Sequence, residues 1–190
     1  MVQEEALKPV IELLNTLKIP YMLVGAIAVN YYSVPRFTHD ADLVVQIHPR
    51  HIDVLCKSLE NKYYVDAEMI KEALSSSGQF NSIHFDTGFK IDFWILQKDE
   101  FSQLQFSRRI PGKIFGQDVF MISPEDLILS KLSWFKESDI QKHFLDALGV
   151  YRMQREIIDI GYLHKHAQEL NLTETLQELE KKVNLWYRKV

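Results

Sequence analysis

Apolar positions in residues 3–17 recur at helical spacing, with Ala6, Leu7, Val10, Leu13, Leu14 and Leu17 on one face. This predicts an amphipathic helix. Beyond Pro20 the period changes. Tyr21–Val24 is a short apolar run stopped by Gly25, and it reads as a buried strand. Ala26–Tyr32 then reads as a helix of small residues, ended by Ser33-Val34-Pro35. A second strand is expected over Ala41–Ile47, then a helix over 50–61 opened by Pro49. A short strand at Tyr63–Val65 and a helix at 67–74 follow. Phe80–Phe85 and Phe89–Leu96 are expected to form a hairpin turned by Asp86-Thr87-Gly88. In its second arm Phe89, Ile91, Phe93 and Ile95 share one face, and Lys90, Asp92 and Trp94 the other. A short helix at 99–106 and a small strand pair, Arg108–Ile114 with Val119–Ile122, complete this part.

From Ser123 the pattern is helical throughout. Ser123-Pro124-Glu125 places an N-cap, a first-position proline and a first-turn acid in order. Helices are expected near 124–136, 138–153, 156–170 and 173–188. The fold class is therefore α/β (α+β): a mixed β-sheet flanked by helices over 1–122, then a C-terminal helical block over 123–190, expected to pack on the core as one unit, the alternative being a small lobe of its own.

Composition narrows the function classes. The chain has 190 residues, 46% hydrophobic and 25% charged, with net charge −4. That balance argues against a broad nucleic-acid surface, though not against a local basic patch. The single cysteine, Cys56, allows no intrachain disulfide and reads as a small core residue. No basic leader precedes an apolar run at the N-terminus, and no run approaches the roughly 20 residues that span a bilayer. A cytoplasmic protein without a membrane segment is the expectation.

The chemistry begins with Asp40 and Asp42. They are one residue apart, so they share a strand face while Ala41, Leu43 and Val45 point into apolar packing. Such pairs also occur at exposed strand ends. Asp92 is a third acid, placed mid-strand where propensity disfavours it. If its strand lies beside that of Asp40 and Asp42, three carboxylates converge on a site suited to magnesium. Gly25 and Ala26 sit between a strand and a helix, where free backbone N–H groups favour an anion.

The run Gly25-Ala26, thirteen residues, then Asp40-Ala41-Asp42 resembles the signature of the nucleotidyltransferase superfamily of DNA polymerase β-like fold. RFTHDADLVV is similar to the R-x-T-x-D-x-D version of bacterial minimal nucleotidyltransferases, including the group related to AbiE-type toxins. SPEDLILSKLSWFKESDIQKHFLDALGV and YLHKHAQELNL resemble the helical segments of the same group, so the likeness covers most of the chain. The resemblance implies magnesium, as two ions, on Asp40, Asp42 and Asp92, with Asp92 also the general base on an acceptor hydroxyl. It implies a nucleoside triphosphate held by Gly25 and Ala26, with Lys131 contacting phosphates and Asp146 paired with Lys131 or lining the site. Arg36 would reach a phosphate through its fork, and Thr38 would brace the carboxylates. Ala26 departs from the family's second Gly or Ser. That residue still permits the turn but offers no hydroxyl.

The activity so implied is magnesium-dependent transfer of a nucleoside monophosphate to a hydroxyl on an RNA end, a protein or a small molecule. A toxin with an antitoxin-like partner is one form of it. The alternative is a catalytically degenerate module of the same fold that binds a nucleotide or a partner.

Overall fold

The computed structural model describes residues 2–187. A seven-stranded mixed sheet runs in the order β3-β4-β5-β2-β1-β7-β6. β1 (Tyr21–Val24) lies antiparallel to β2 (Asp40–Val45), with Val24 opposite Asp42. β2 in turn lies parallel to β5 (Lys90–Ile95), with Asp42 directly opposite Asp92. β4 (Gln79–His84) pairs antiparallel with β5, and β3 (Tyr63–Tyr64) ends that side. On the other side β7 (Gln117–Met121) runs parallel to β1 and carries β6 (Ile110–Ile114) as the far edge.

Alternation divides the sheet into two faces. Ala41, Leu43 and Val45 of β2, Ile91 and Phe93 of β5, and Phe80 of β4 are all buried. Phe80 and Phe93 stack with ring centroids 4.7 Å apart. The buried residues of α1 (Val2–Thr16), α3 (Ile52–Leu59) and α4 (Ala67–Ser76), among them Leu7, Ile11, Leu55 and Ile70, complete this core. The opposite face carries Asp40, Asp42, Lys90, Asp92 and Trp94.

Local chemistry accounts for the element ends. Asp66 accepts from the Glu68 and Met69 amides to open α4, and Ser77 closes it in the left-handed region. The helix expected at 50–61 begins as a 3-10 turn over Pro49–His51 and ends at Leu59. β2 stops at Val45, where the next amide, Gln46 N–H, turns to the Pro20 carbonyl. Cys56 is half-buried rather than a core residue.

The chain divides into two compact units. One comprises the residues up to Ile27 together with Phe37–Ile122, including α5 (Glu100–Ser107) and the sheet. The other comprises Ala28–Arg36 and the residues from Ser123 onward. The second unit therefore takes in most of α2 (Gly25–Tyr32), a segment that chain order assigns to the αβ part.

Within the helical unit, α6 (Pro124–Ser138), α7 (Gln141–Gln154), α8 (Ile160–Glu169) and α9 (Thr173–Tyr187) bury Leu127, Leu132, Phe144, Val150, Leu163 and Leu179. Asp139, in the left-handed region at φ 55°, ends α6, so α7 starts later than residue 138. Two buried acids at the head of α6 have structural partners. Glu125 accepts from the Asp159 amide at 2.9 Å, and Asp126 accepts from Ser123 Oγ at 2.8 Å and Tyr162 Oη at 2.7 Å. Segment 28–36 is held along α7. Gln154 Nε2 donates to the Tyr32 carbonyl at 2.7 Å, Arg36 pairs with Asp146, and a methyl group added at Gly149 would meet Ser33 Oγ. Residues 146, 149 and 154 recur near one face of that helix, so the segment follows α7.

Candidate functional site

The polar face of the sheet assembles the carboxylates by register. Asp42 and Asp92 face each other across neighbouring parallel strands, which are about 4.8 Å apart. Asp40 lies one pleat earlier on β2, opposite Lys90. Asp92 is 8% exposed, whereas Asp40 and Asp42 are half-buried.

Each carboxylate has its own partner. Buried Thr38 donates from Oγ1 to Asp40 Oδ1 at 2.6 Å, and its carbonyl is held by Gln3 Nε2 at 3.1 Å. Trp94 Nε1 donates to Asp42 Oδ1 at 3.3 Å. Lys90 Nζ lies 2.8 Å from Asp92 Oδ2. The Asp92 hydrogen bond raises the Lys90 pKa above its ordinary value against burial, and the charges of Asp92, Asp40 and Asp42 add to the rise. Lys90 and Trp94 are functional-face residues to which the sequence reading gave no role. The available signal was their spacing of two from Asp92.

Gly25 explains how the turn fits against this face. Its φ of +58° is the left-handed region, and a Cβ there would fall on the Asp42 carboxylate, 2.8 Å from Asp42 Cγ. Ala26 is buried and continues as ordinary helix into α2, so the turn demands glycine only at position 25. Gly25→Ala is expected to cost about 1–3 kcal/mol, from backbone strain and displacement of Asp42. Urea denaturation checks this: a wild-type midpoint would show that the approach is not tight.

The donor set suits a hard divalent cation. The three aspartates offer only oxygen, and Lys90 already stands among them as a monovalent one. Asp40, Asp42 and Asp92 could hold such an ion. Asp92 would have to exchange its lysine partner for the metal.

The helical unit holds Arg36, Lys131 and Asp146 as an ion cluster. Arg36 Nε and Nη2 donate to the two Asp146 oxygens at 3.0 and 2.9 Å, and Lys131 Nζ lies 3.1 Å from Asp146 Oδ2. Lys131 and Asp146 are 4% and 6% exposed. Lys131 also lies 5.2 Å from the centre of the Trp134 ring. Burial pushes the Asp146 carboxyl up, but the Arg36 hydrogen bonds and the nearby Lys131 ammonium outweigh it. The net pKa is below the ordinary value. The expected pairing of Asp146 with Lys131 is present. The Arg36 fork, expected to reach a phosphate, here donates to Asp146.

No protein-family model matches the sequence, and no curated protein matches it. Solved structures do resemble it. A nucleotidyltransferase-like antigenic protein from Paracoccidioides brasiliensis superposes with a TM-score of 0.60 at 20% identity, covering 92% of this chain and 88% of that one. The antibiotic-resistance factor ANT(2'')-Ia gives 0.55 at 12% identity, covering 99% and 98%. The lincosamide antibiotic adenylyltransferase LnuA, with lincomycin bound, gives 0.51 at 15%, covering 77% and 95%.

The fold is that of the nucleotidyltransferases. At these identities the likeness is one of architecture, and roles for residues rest on the geometry above. No helix among the described residues is long and apolar enough to cross a membrane.

Proposed function

We propose that the protein is a magnesium-dependent nucleotidyltransferase that moves a nucleoside monophosphate from a triphosphate to an acceptor hydroxyl. One observation carries the reading. Asp42 and Asp92 stand opposite each other on parallel strands, with the Gly25 turn pressed against Asp42, within a nucleotidyltransferase fold.

Bound magnesium supplies charge neutralisation at the α-phosphate and the departing pyrophosphate. Asp40 and Asp42 would hold it, and Thr38 keeps Asp40 oriented. The Gly25 turn and the first amides of α2 face the triphosphate. Asp92 takes the proton of the acceptor hydroxyl as its oxygen attacks the α-phosphorus and the bond to the β-phosphate oxygen breaks.

We propose further that the protein is a cytoplasmic toxin of a toxin–antitoxin pair, with an RNA end as acceptor. This reading rests on the Arg36–Asp42 run. Two of the neighbours are an antibiotic adenylyltransferase and an antibiotic-resistance factor, which makes a small-molecule hydroxyl the competing acceptor. Incubation with α-labelled triphosphates and magnesium, with RNA, protein and small-molecule fractions of an extract tested separately, assigns the acceptor. Label in the RNA fraction supports the toxin, and label confined to small molecules contradicts it. Triphosphate binding with no transfer to any fraction would favour the degenerate binding module.

Lys90 gives a second test. Its ammonium pairs with Asp92 at 2.8 Å, so removing it takes away a cation that competes for that carboxylate. Lys90→Met is expected to tighten Mn²⁺ binding about 5- to 10-fold, read by loss of the free-ion electron paramagnetic resonance signal. Unchanged affinity would exclude competition between Lys90 and the metal.

A further inference from the structure

Glu5, His84 and Asp86 form a second cluster, away from the aspartate face. They come from the first turn of α1, the end of β4 and the turn of the β4–β5 hairpin. Their ligand atoms all lie within 4.8 Å of one another. His84 alternates with Asn81 and Ile83, so it lies on the core side of the sheet, opposite the face that carries Asp92.

Two features set this trio apart from a chance meeting of surface acids. The imidazole is 2% exposed, yet it meets two exposed carboxylates. Its orientation is also fixed from behind. His84 Nδ1 lies 2.9 Å from Thr87 Oγ1, and that oxygen accepts from the Phe89 amide at 3.3 Å. A hydrogen bond from outside the ligand set that fixes the ring is also how metal-binding histidines are oriented. The Tyr63 ring packs 4.9 Å from the imidazole, and its hydroxyl donates to the Ala6 carbonyl at 2.8 Å, beside Glu5. This contact fixes the start of α1 relative to His84.

We propose that Glu5, His84 and Asp86 bind a divalent cation of the zinc class, with water completing the coordination, and that the ion ties α1 to the hairpin. Two carboxylates this close repel unless a cation lies between them. One imidazole and two carboxylates form a donor set for zinc or a neighbouring first-row metal. Ligands about 2.1 Å from a tetrahedral zinc are roughly 3.4 Å apart, so small rotations of the exposed Glu5 and Asp86 side chains close the site.

The test uses the full chain, stripped by chelator and carrying Asp40→Asn and Asp42→Asn, so that the aspartate face does not compete. Titration with Co²⁺ reads tetrahedral absorption, and Zn²⁺ is then added as competitor. The expected result is one equivalent bound, weakened at least about tenfold by Glu5→Gln and by Asp86→Asn. Saturating Zn²⁺ should raise the melting temperature by roughly 5 °C, and neither variant should show that rise in full. Both substituted side chains are exposed, so loss of binding is not loss of fold. Absence of binding at micromolar metal, or binding unchanged by both variants, overturns the proposal. Neither outcome bears on nucleotidyl transfer, because the aspartate face has been disabled.

Discussion

Asp42→Asn is expected to lower nucleotidyl transfer by at least about 10³-fold while leaving the melting temperature within a few degrees of wild type. Asp42 is half-buried between the Gly25 turn and Asp92 and accepts a hydrogen bond from Trp94. Asparagine keeps the shape and an acceptor for the indole N–H. It loses the charge that would hold a divalent ion beside a triphosphate. Trp94→Phe removes only the hydrogen bond and should cost far less, about tenfold or below. Label transfer from an α-labelled triphosphate measures both. Activity in Asp42→Asn within tenfold of wild type would remove Asp42 from the chemistry.

The largest stability effect is expected at Asp146. This carboxylate is buried with Lys131 and answers both the ammonium and the Arg36 fork. Asp146→Asn takes the negative charge of Asp146 away from buried Lys131, and breaking a buried pair from one side costs about 3–5 kcal/mol. The melting temperature should fall by about 10 °C. Adding Lys131→Met to that variant should recover part of the loss, because it removes the buried charge rather than a contact. The pH dependence has a definite sign. The folded pKa of Asp146 lies below its ordinary value, so its contribution is complete above about pH 4 and is lost as pH falls through the folded pKa. Urea midpoints of wild type should therefore fall toward those of Asp146→Asn in acid. A constant gap between the two proteins down to pH 2 would contradict this assignment.

Much of the site could be read from alternation. A period of two places Asp40 with Asp42, and Lys90 with Asp92 and Trp94, before any strand order is known. What alternation does not supply is the neighbour. β2 and β5 are separated in sequence by two helices and a strand pair, and only the sheet order sets Asp42 opposite Asp92. For the same reason no local signal revealed that Trp94 would reach Asp42, whereas the Lys90–Asp92 pair, two residues apart on one strand face, lay within what alternation offers. In Ser123-Pro124-Glu125-Asp126 the helix start was legible from the cap. The burial of Glu125 and Asp126 was not, since it depends on Asp159 and Tyr162 on the far side of α7. Arg36 shows the same limit. As a loop residue before the aspartates it invites a phosphate, and its partner is an acid 110 positions away.

Ala26 reads differently once the backbone is seen. As a departure from a Gly-Gly or Gly-Ser pair it counts against the turn. In the structure the left-handed residue is Gly25, and position 26 has ordinary helical backbone that alanine adopts without strain.

The central claim is that the face bearing Asp40, Asp42 and Asp92 binds a metal–triphosphate complex. Its most direct test is a crystal soaked with Mn²⁺ and a non-hydrolysable triphosphate, with data collected at the manganese edge. We expect an anomalous peak about 2.1 Å from carboxylate oxygens of Asp40 and Asp42, Lys90 withdrawn from Asp92, and phosphates against the Gly25 turn. Manganese and triphosphate bound elsewhere, with the Lys90–Asp92 pair intact, would contradict it.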